Sequence, residues 1–74
     1  MTSAQIRAGR ALVNWTVREL AEKAGIHRNT VTNIETERSL GDAATLDAIR
    51  RALEKAGVEF TNGKRPGVRL KSKC

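Results

Sequence analysis

The segment GIH, at residues 25–27, restricts the fold more than any other feature, because it is the whole connection between two predicted helices. The helix before it opens at Thr16, which precedes Glu19 by three residues, the pattern of a capping box. That helix should end at Gly25, a residue suited to the left-handed conformation that follows many helices. The next helix is predicted to span residues 28–35. Two helices joined by so short a turn must cross steeply, which is the geometry of a helix-turn-helix.

Two more helices are predicted from the helical spacing of apolar residues and from capping residues. The first begins near Thr2 or Ser3, either of which can act as its N-terminal cap, and runs to about Val13. The fourth covers about residues 43–56, with Asp42 as its cap and with apolar residues one turn apart along its buried side. The sequence therefore predicts four short helices.

The pattern of apolar residues changes after Gly57. Apolar and polar residues then alternate on either side of a turn-rich connector, which predicts short strands at residues 58–60 and 68–70. An isolated two-stranded hairpin is only marginally stable in water, so it needs either the helical body or a second copy of itself. We predict a mainly α fold, with a compact four-helix domain over residues 1–57 and a basic C-terminal strand or hairpin segment over residues 58–74.

A chain of 74 residues, of which 39% are hydrophobic, can fill one small core. It has no long apolar run, so we expect neither a membrane span nor a secretory signal, and we expect a cytoplasmic protein. The single cysteine, Cys74, cannot form an internal disulfide, and the single histidine makes a metal site improbable. No set of residues typical of catalysis or of a cofactor site emerges, so we expect no enzyme activity and no cofactor.

Positive charge is concentrated at the C-terminal end. Residues 61–74 contain no acid and five of the 14 basic side chains: Lys64, Arg65, Arg69, Lys71 and Lys73. The first 60 residues hold the other nine basic side chains and all eight acidic ones, a net charge of +1. Such a cationic end suits a polyanion, with nucleic acid as the first candidate and an acidic membrane surface as the second. A solvated end without a partner is the alternative.

The third predicted helix has an outer face that helix propensity does not explain. Val31 and Ile34 lie on one side, where they can pack against the second helix. The opposite side carries side chains suited to hydrogen-bonding an external surface: Arg28, Asn29, Thr32 and Asn33. A helix held by one apolar edge can lie in the major groove of DNA and present such side chains to the bases.

These side chains match the hydrogen-bonding groups of base pairs. Arg28 can donate two hydrogen bonds to guanine, and Asn29 or Asn33 can pair with adenine. Thr32 can contact a thymine methyl group or use its hydroxyl toward either partner. His27, at the N-terminus of the helix, has two roles open to it: a contact to a DNA phosphate or a cap on the helix.

Three blocks of the sequence resemble the lambda-repressor-like (Cro-type, or XRE) helix-turn-helix family: IRAGRALVNWT, RELAEKAGIHRNTVTNIE and TLDAIRRALEKAG. They occur in the family's order and spacing, and the resemblance covers about residues 3–57. It implies base reading at three positions that match the family's reading positions: Arg28, Asn29 and Asn33. It also implies a buried ion pair between Arg10 in the first helix and Glu35 at the end of the third.

The same resemblance implies contacts to DNA phosphates. The positions concerned lie in the first helix and around the ends of the second and third helices: Arg10, Thr16, Val17, Arg18, Thr36 and Arg38. Many members have a phosphate-binding glutamine where this chain has Val17, so that contact is expected to pass to Thr16 or Arg18. A glycine usually follows the third helix, but this chain has Glu37 there. Because a non-glycine residue at positive φ is strained, we allow for a different exit turn.

The family's usual fifth helix is replaced here by the strand-like segment, so dimerisation must also differ. Pairing of these strands between identical chains would satisfy exposed strand edges and enlarge a small core. We therefore predict a two-fold dimer whose interface includes four apolar residues of the segment: Val58, Phe60, Val68 and Leu70. A disordered basic tail is the alternative.

These observations predict a homodimeric, sequence-specific regulator of transcription that binds double-stranded DNA at an inverted repeat, most simply an autoregulatory repressor. Two alternatives stay open. The chain could be a protein-interaction module on the same scaffold, such as an antitoxin whose tail wraps an enzyme. It could also coat DNA through its tail without sequence preference.

Overall fold

A computed structural model of the chain describes residues 2–61 and 66–71, and within them it has four helices and two strands. In chain order they are α1 (Ser3–Leu12), α2 (Val17–Ala24), α3 (Arg28–Glu35), α4 (Ala43–Lys55), β1 (Val58–Thr61) and β2 (Gly67–Leu70). The mainly α fold with a short C-terminal hairpin is therefore confirmed. No helix in these two ranges is long and apolar enough to cross a membrane. Four residues named for their charge or their thiol lie outside the described residues: Lys64, Arg65, Lys73 and Cys74.

Side chains immediately before the helices determine where α1 and α4 begin. The Thr2 hydroxyl accepts a hydrogen bond from the Gln5 amide at 3.1 Å, and the Gln5 side chain accepts one from the Thr2 amide at 2.8 Å. The Asp42 carboxylate accepts a hydrogen bond from the Thr45 amide at 2.7 Å, and interactions with the Thr45 side chain and then with this amide lower the pKa of Asp42. Each cap supplies a partner for backbone N–H groups that the helix itself leaves without one.

One hydrophobic core joins the helices to the first strand. Its largest fully buried side chains come from all four helices and from β1: Ile6, Leu20, Val31, Ile49, Leu53 and Val58. α2 packs against both α3 and α4, and the hairpin packs against α1 and α4. Full burial of one such side chain contributes about 1.5–3 kcal/mol, so β1 adds to the stability of the helical body.

Gln5 attaches the loop end of the hairpin to α1. Its side-chain amide donates hydrogen bonds to the carbonyl oxygens of Thr61 at 3.0 Å and Gly67 at 3.1 Å, two residues that face each other across the antiparallel pair. Gln5 is only 4% exposed, so these bonds form away from solvent. Of the two ways to stabilise an isolated hairpin, this chain uses its own helical body.

Candidate nucleic-acid interface

The turn between α2 and α3 has the geometry predicted from the GIH segment. Gly25 adopts the left-handed conformation with φ of 72°, and the Ile26 amide donates to the Ala21 carbonyl at 3.0 Å. Ala21 is 3% exposed, and its small side chain suits the close approach of the two helices. α3 follows this short turn directly and packs on α2, as the helices of a helix-turn-helix do.

The inner and outer sides of α3 differ sharply in burial. Val31 is fully buried and Ile34 is 4% exposed. The outer side consists of exposed residues whose side chains form no hydrogen bond or ion pair with any described residue: Arg28, Asn29, Thr32 and Asn33. The structure therefore brings the four predicted base-reading residues together on one open face.

His27 is the N-terminal cap of α3. Its Nδ1 atom accepts a hydrogen bond from the Asn29 amide at 3.1 Å, so this nitrogen carries no proton in the cap. The capping role that the sequence left open is thus present. The ring is exposed, and Nε2 stays free to donate to an external acceptor. A phosphate contact by His27 stays a prediction.

The N-terminus of α2 carries three of the predicted phosphate contacts. Thr16 and Glu19 form the predicted capping box, since the Thr16 hydroxyl accepts from the Glu19 amide at 3.1 Å and the Thr16 amide donates to the Glu19 carboxylate at 2.9 Å. The Thr16 hydroxyl proton is not used in this box. Arg18 is exposed, whereas Val17 is half-buried and packs against the core. Thr16 and Arg18 are therefore the side chains able to contact a phosphate here.

The C-terminus of α3 ends in a tight turn at Glu37, which has φ of 64°. The turn therefore keeps the left-handed conformation despite the missing glycine, and the backbone carries some strain. The Thr36 hydroxyl donates to the Thr32 carbonyl at 2.8 Å, so its proton is already used within the helix. Arg38 is exposed just beyond the turn, and its amide donates to the Asn33 carbonyl at 2.8 Å.

Arg10 and Glu35 form an ion pair between α1 and the end of α3. The Arg10 guanidinium donates two hydrogen bonds of 2.9 Å to the two oxygens of the Glu35 carboxylate, and a third of 3.1 Å to the Trp15 carbonyl. The side chains are 24% and 5% exposed respectively. The hydrogen bond with Glu35 raises the pKa of Arg10. One arginine thus links α1, the end of α3 and the residue just before the cap of α2.

Arg7 also contacts the end of α3, and this contact was not predicted from the sequence. Its guanidinium donates a hydrogen bond to the backbone carbonyl of Glu35. The available signal was its position three residues before Arg10, which places both arginines near one face of α1. Nothing in the sequence indicated a backbone carbonyl as the partner.

Exposed arginines around α2 and α3 differ from the exposed arginines of α4 and β2 in having no ion pair among the described residues. On α4 and β2 the arginines pair with acids of their own element or hairpin: Arg50 and Arg51 with Asp47, and Arg69 with Glu59. Around α2 and α3, three exposed arginines have no acidic partner in the part of the chain that the structure describes: Arg18, Arg28 and Arg38. Their charges remain available to an anionic ligand.

The four residues predicted to form a dimer interface differ in burial. Val58 is fully buried, so its side chain belongs to the core of its own chain. Phe60 and Val68 are partly buried and pack against that core. Leu70 is 47% exposed and remains available at the end of β2. Leu70 is therefore the side chain of this set best able to contact another molecule, and the dimer itself stays a prediction.

A comparison with models of protein families matches residues 6–60 to the family described as Helix-turn-helix. The match begins within α1 and ends in β1, and it includes every residue assigned above to base or phosphate contacts. No curated protein was found to match the chain.

Proposed function

The chain belongs to the lambda-repressor-like (XRE) helix-turn-helix family of DNA-binding transcription regulators, and from this we propose that it is a sequence-specific repressor acting in the cytoplasm as a homodimer. Two copies would place their α3 helices in successive major grooves of an inverted-repeat operator, about 34–36 Å apart. Because the proposed activity needs only occupation of the DNA, repression would come from covering a promoter, most simply the chain's own.

One observation carries this proposal: α3 presents four exposed hydrogen-bonding side chains that have no partner among the described residues, while its back is buried. Such side chains do not have to break a hydrogen bond within the chain in order to bind a second hydrogen-bonding surface. We assign Arg28 to guanine, Asn29 and Asn33 to adenine, and Thr32 to a thymine methyl group or a base-edge donor or acceptor. Each bidentate pair discriminates against the wrong base by about 1–3 kcal/mol.

We assign the flanking contacts to phosphate groups. The hydroxyl of Thr16 and the guanidinium groups of Arg18 and Arg38 are exposed at the ends of α2 and α3. Since the Val17 side chain packs inward, its contribution would be the backbone N–H at the first turn of α2, which attracts anions. Further contacts are assigned to His27 and to Arg10, the latter through donor hydrogens used by neither Glu35 nor Trp15. A contact by Thr36 would require its hydroxyl to give up the hydrogen bond to the Thr32 carbonyl. These contacts would set the orientation of α3 without selecting a sequence.

The substitution Arg28→Ala tests base reading, with Arg51→Ala as a control that removes the same charge from α4. We expect Arg28→Ala to lose about 1–3 kcal/mol of preference for the operator over an unrelated duplex, with an unchanged thermal melting curve. Arg51→Ala should keep the preference. Affinities would be measured by fluorescence anisotropy on duplexes selected by the wild-type chain from a random pool. An Arg28→Ala variant as selective as the wild type would show that Arg28 does not read bases, whereas a wild-type chain that selects no duplex would favour a protein-interaction module.

The dimer is proposed to form through the hairpin, with β2 pairing across a two-fold axis and Leu70 covered in the contact. The substitution Leu70→Glu should then shift sedimentation velocity from dimer to monomer, because a carboxylate cannot be buried there without a partner. Leu40→Glu is the matched control, since Leu40 is 88% exposed and lies in the α3–α4 loop. A dimer that survives Leu70→Glu, or one lost with Leu40→Glu, would contradict a hairpin interface.

A further inference from the structure

We propose that Arg7 is a positioning residue for base reading, because it fixes the C-terminal end of α3 relative to α1 through the backbone carbonyl of Glu35. This inference rests on the proposed function of α3 as the reading helix. Arg7 is exposed on α1 and lies outside the open face of α3, so its role would be exerted through the backbone of α3.

The partners of the last four carbonyl groups of α3 show what Arg7 adds. An α-helix leaves these four groups without an intrahelical partner. Here the Thr32 carbonyl accepts from the Thr36 amide at 2.9 Å and the Ile34 carbonyl from the Glu37 amide at 3.1 Å. The Asn33 carbonyl accepts from the two amides that follow the turn, at 2.8 and 3.1 Å. Only the fourth group, the Glu35 carbonyl, has a partner from another helix, the guanidinium of Arg7.

Arg7 and Arg10 hold the same residue in two different ways. Arg10 binds the Glu35 carboxylate, which is separated from the backbone by the side-chain torsions, whereas Arg7 binds the backbone itself. A cation at this place also interacts favourably with the C-terminal end of the helix dipole. The two contacts together fix both the position and the direction of the last turn of α3 against α1.

The length of α3 explains why a change at its C-terminal end, where Arg7 binds, should move its N-terminal end. Its eight residues extend over about 12 Å, so a tilt of about 5° at the C-terminus moves the N-terminal side chains by about 1 Å. Arg28 and Asn29 are at that N-terminal end. Recognition groups must be held within about 0.5 Å of their productive geometry, so a tilt of this size would weaken bidentate contacts to bases.

A direct phosphate contact by Arg7 would have a different effect, because it would contribute equally to the affinity for every duplex. Removing one phosphate contact lowers affinity for every duplex and reduces the slope of log K against log salt by about 0.9. Loss of positioning reduces affinity for the operator alone and leaves that slope unchanged. The two roles can therefore be separated with the same titrations.

The experiment uses Arg7→Met, which keeps much of the aliphatic stem, and Arg7→Lys, which keeps a cationic donor. Arg51→Met is the control for the same loss of charge on α4. Affinity is measured for a duplex selected by the wild-type chain and for an unrelated duplex, over a salt series and at a temperature where melting curves show every variant folded. We expect Arg7→Met to lose about tenfold in operator preference, Arg7→Lys to recover part of it, and Arg51→Met to keep it.

Two results would overturn the inference alone: an operator preference in Arg7→Met equal to that of the wild type, or a loss on both duplexes with a salt slope reduced by about 0.9. A wild-type chain that shows no preference among duplexes would overturn the proposed function, and this inference with it.

Discussion

At the scale of single residues, the ion pair of Arg10 with Glu35 links the end of α3 to α1. The Glu35 side chain is only 5% exposed, so the arginine, and not water, stabilises its carboxylate. Three hydrogen bonds from one guanidinium satisfy the carboxylate and a backbone carbonyl together. The pair therefore connects the last turn of α3 to α1 and to the residue before α2.

Arg10→Met should destabilise the chain by about 3–5 kcal/mol, because the buried Glu35 carboxylate loses its partner. The double variant Arg10→Met with Glu35→Leu should cost clearly less than the sum of the two single changes, since no charge is then stranded. Urea unfolding of the three variants, followed by circular dichroism, measures the coupling. Strictly additive losses would show that the two side chains do not depend on each other.

Residue roles were predictable from sequence where their partners are local. The Thr16 and Glu19 box follows from a spacing of three residues, and the structure has both of its hydrogen bonds. Gln5 and Arg7 were missed as tertiary contacts, because their partners lie 56 or more and 28 positions away respectively. No local pattern encodes such pairs in a single sequence. The Arg10 and Glu35 pair was reached only through family resemblance.

At the scale of elements, the loop between α3 and α4 packs against the buried side of α3. Gly41 has φ of 72°, and a Cβ atom there would lie 2.8 Å from Cδ1 and 3.2 Å from Cγ1 of Ile34. Ile34 is one of the buried side chains behind α3. The loop therefore needs glycine both for its backbone conformation and for the space that Ile34 occupies.

Gly41→Ala should lose more stability than Gly25→Ala, which serves as its matched control. Both residues have φ of 72°, but a Cβ at Gly25 meets nothing within 4 Å. The control should therefore cost about 1–2 kcal/mol from backbone conformation alone. Gly41→Ala should add about 1–3 kcal/mol, because Ile34 must move. Thermal melting of both variants gives the comparison, and equal losses would show that Ile34 adapts freely.

Element types were predictable, while their packing was only partly so. The strands were expected at residues 58–60 and 68–70 and are each one residue longer, because alternation of apolar residues marks a strand but not its last hydrogen bond. The same alternation is compatible with a hairpin that packs on the helices of its own chain and with one that packs against an identical chain. Docking on α1 and α4 required the tertiary structure, and so did the burial of Val58.

At the scale of the whole molecule, the charges that the fold leaves without an ion pair are distributed differently from the charges along the sequence. The first 60 residues are nearly neutral by composition. In the folded chain, acids on α4 and β1 pair with arginines of α4 and β2, and Glu35 is buried against Arg10. Three exposed arginines around α2 and α3 have no acidic partner among the described residues: Arg18, Arg28 and Arg38. Composition alone did not predict which arginines the fold leaves unpaired.

The most direct test of base reading by α3 is a selection of bound duplexes from a random pool, with the stoichiometry of the selected complex measured by sedimentation. We predict an inverted repeat of two half-sites about one helical turn apart, bound by two chains. We also predict that Asn33→Ala relaxes the selected sequence at one base pair in each half-site. A selected pool without a consensus, or a consensus unchanged by Asn33→Ala and by Arg28→Ala, would contradict base reading by α3.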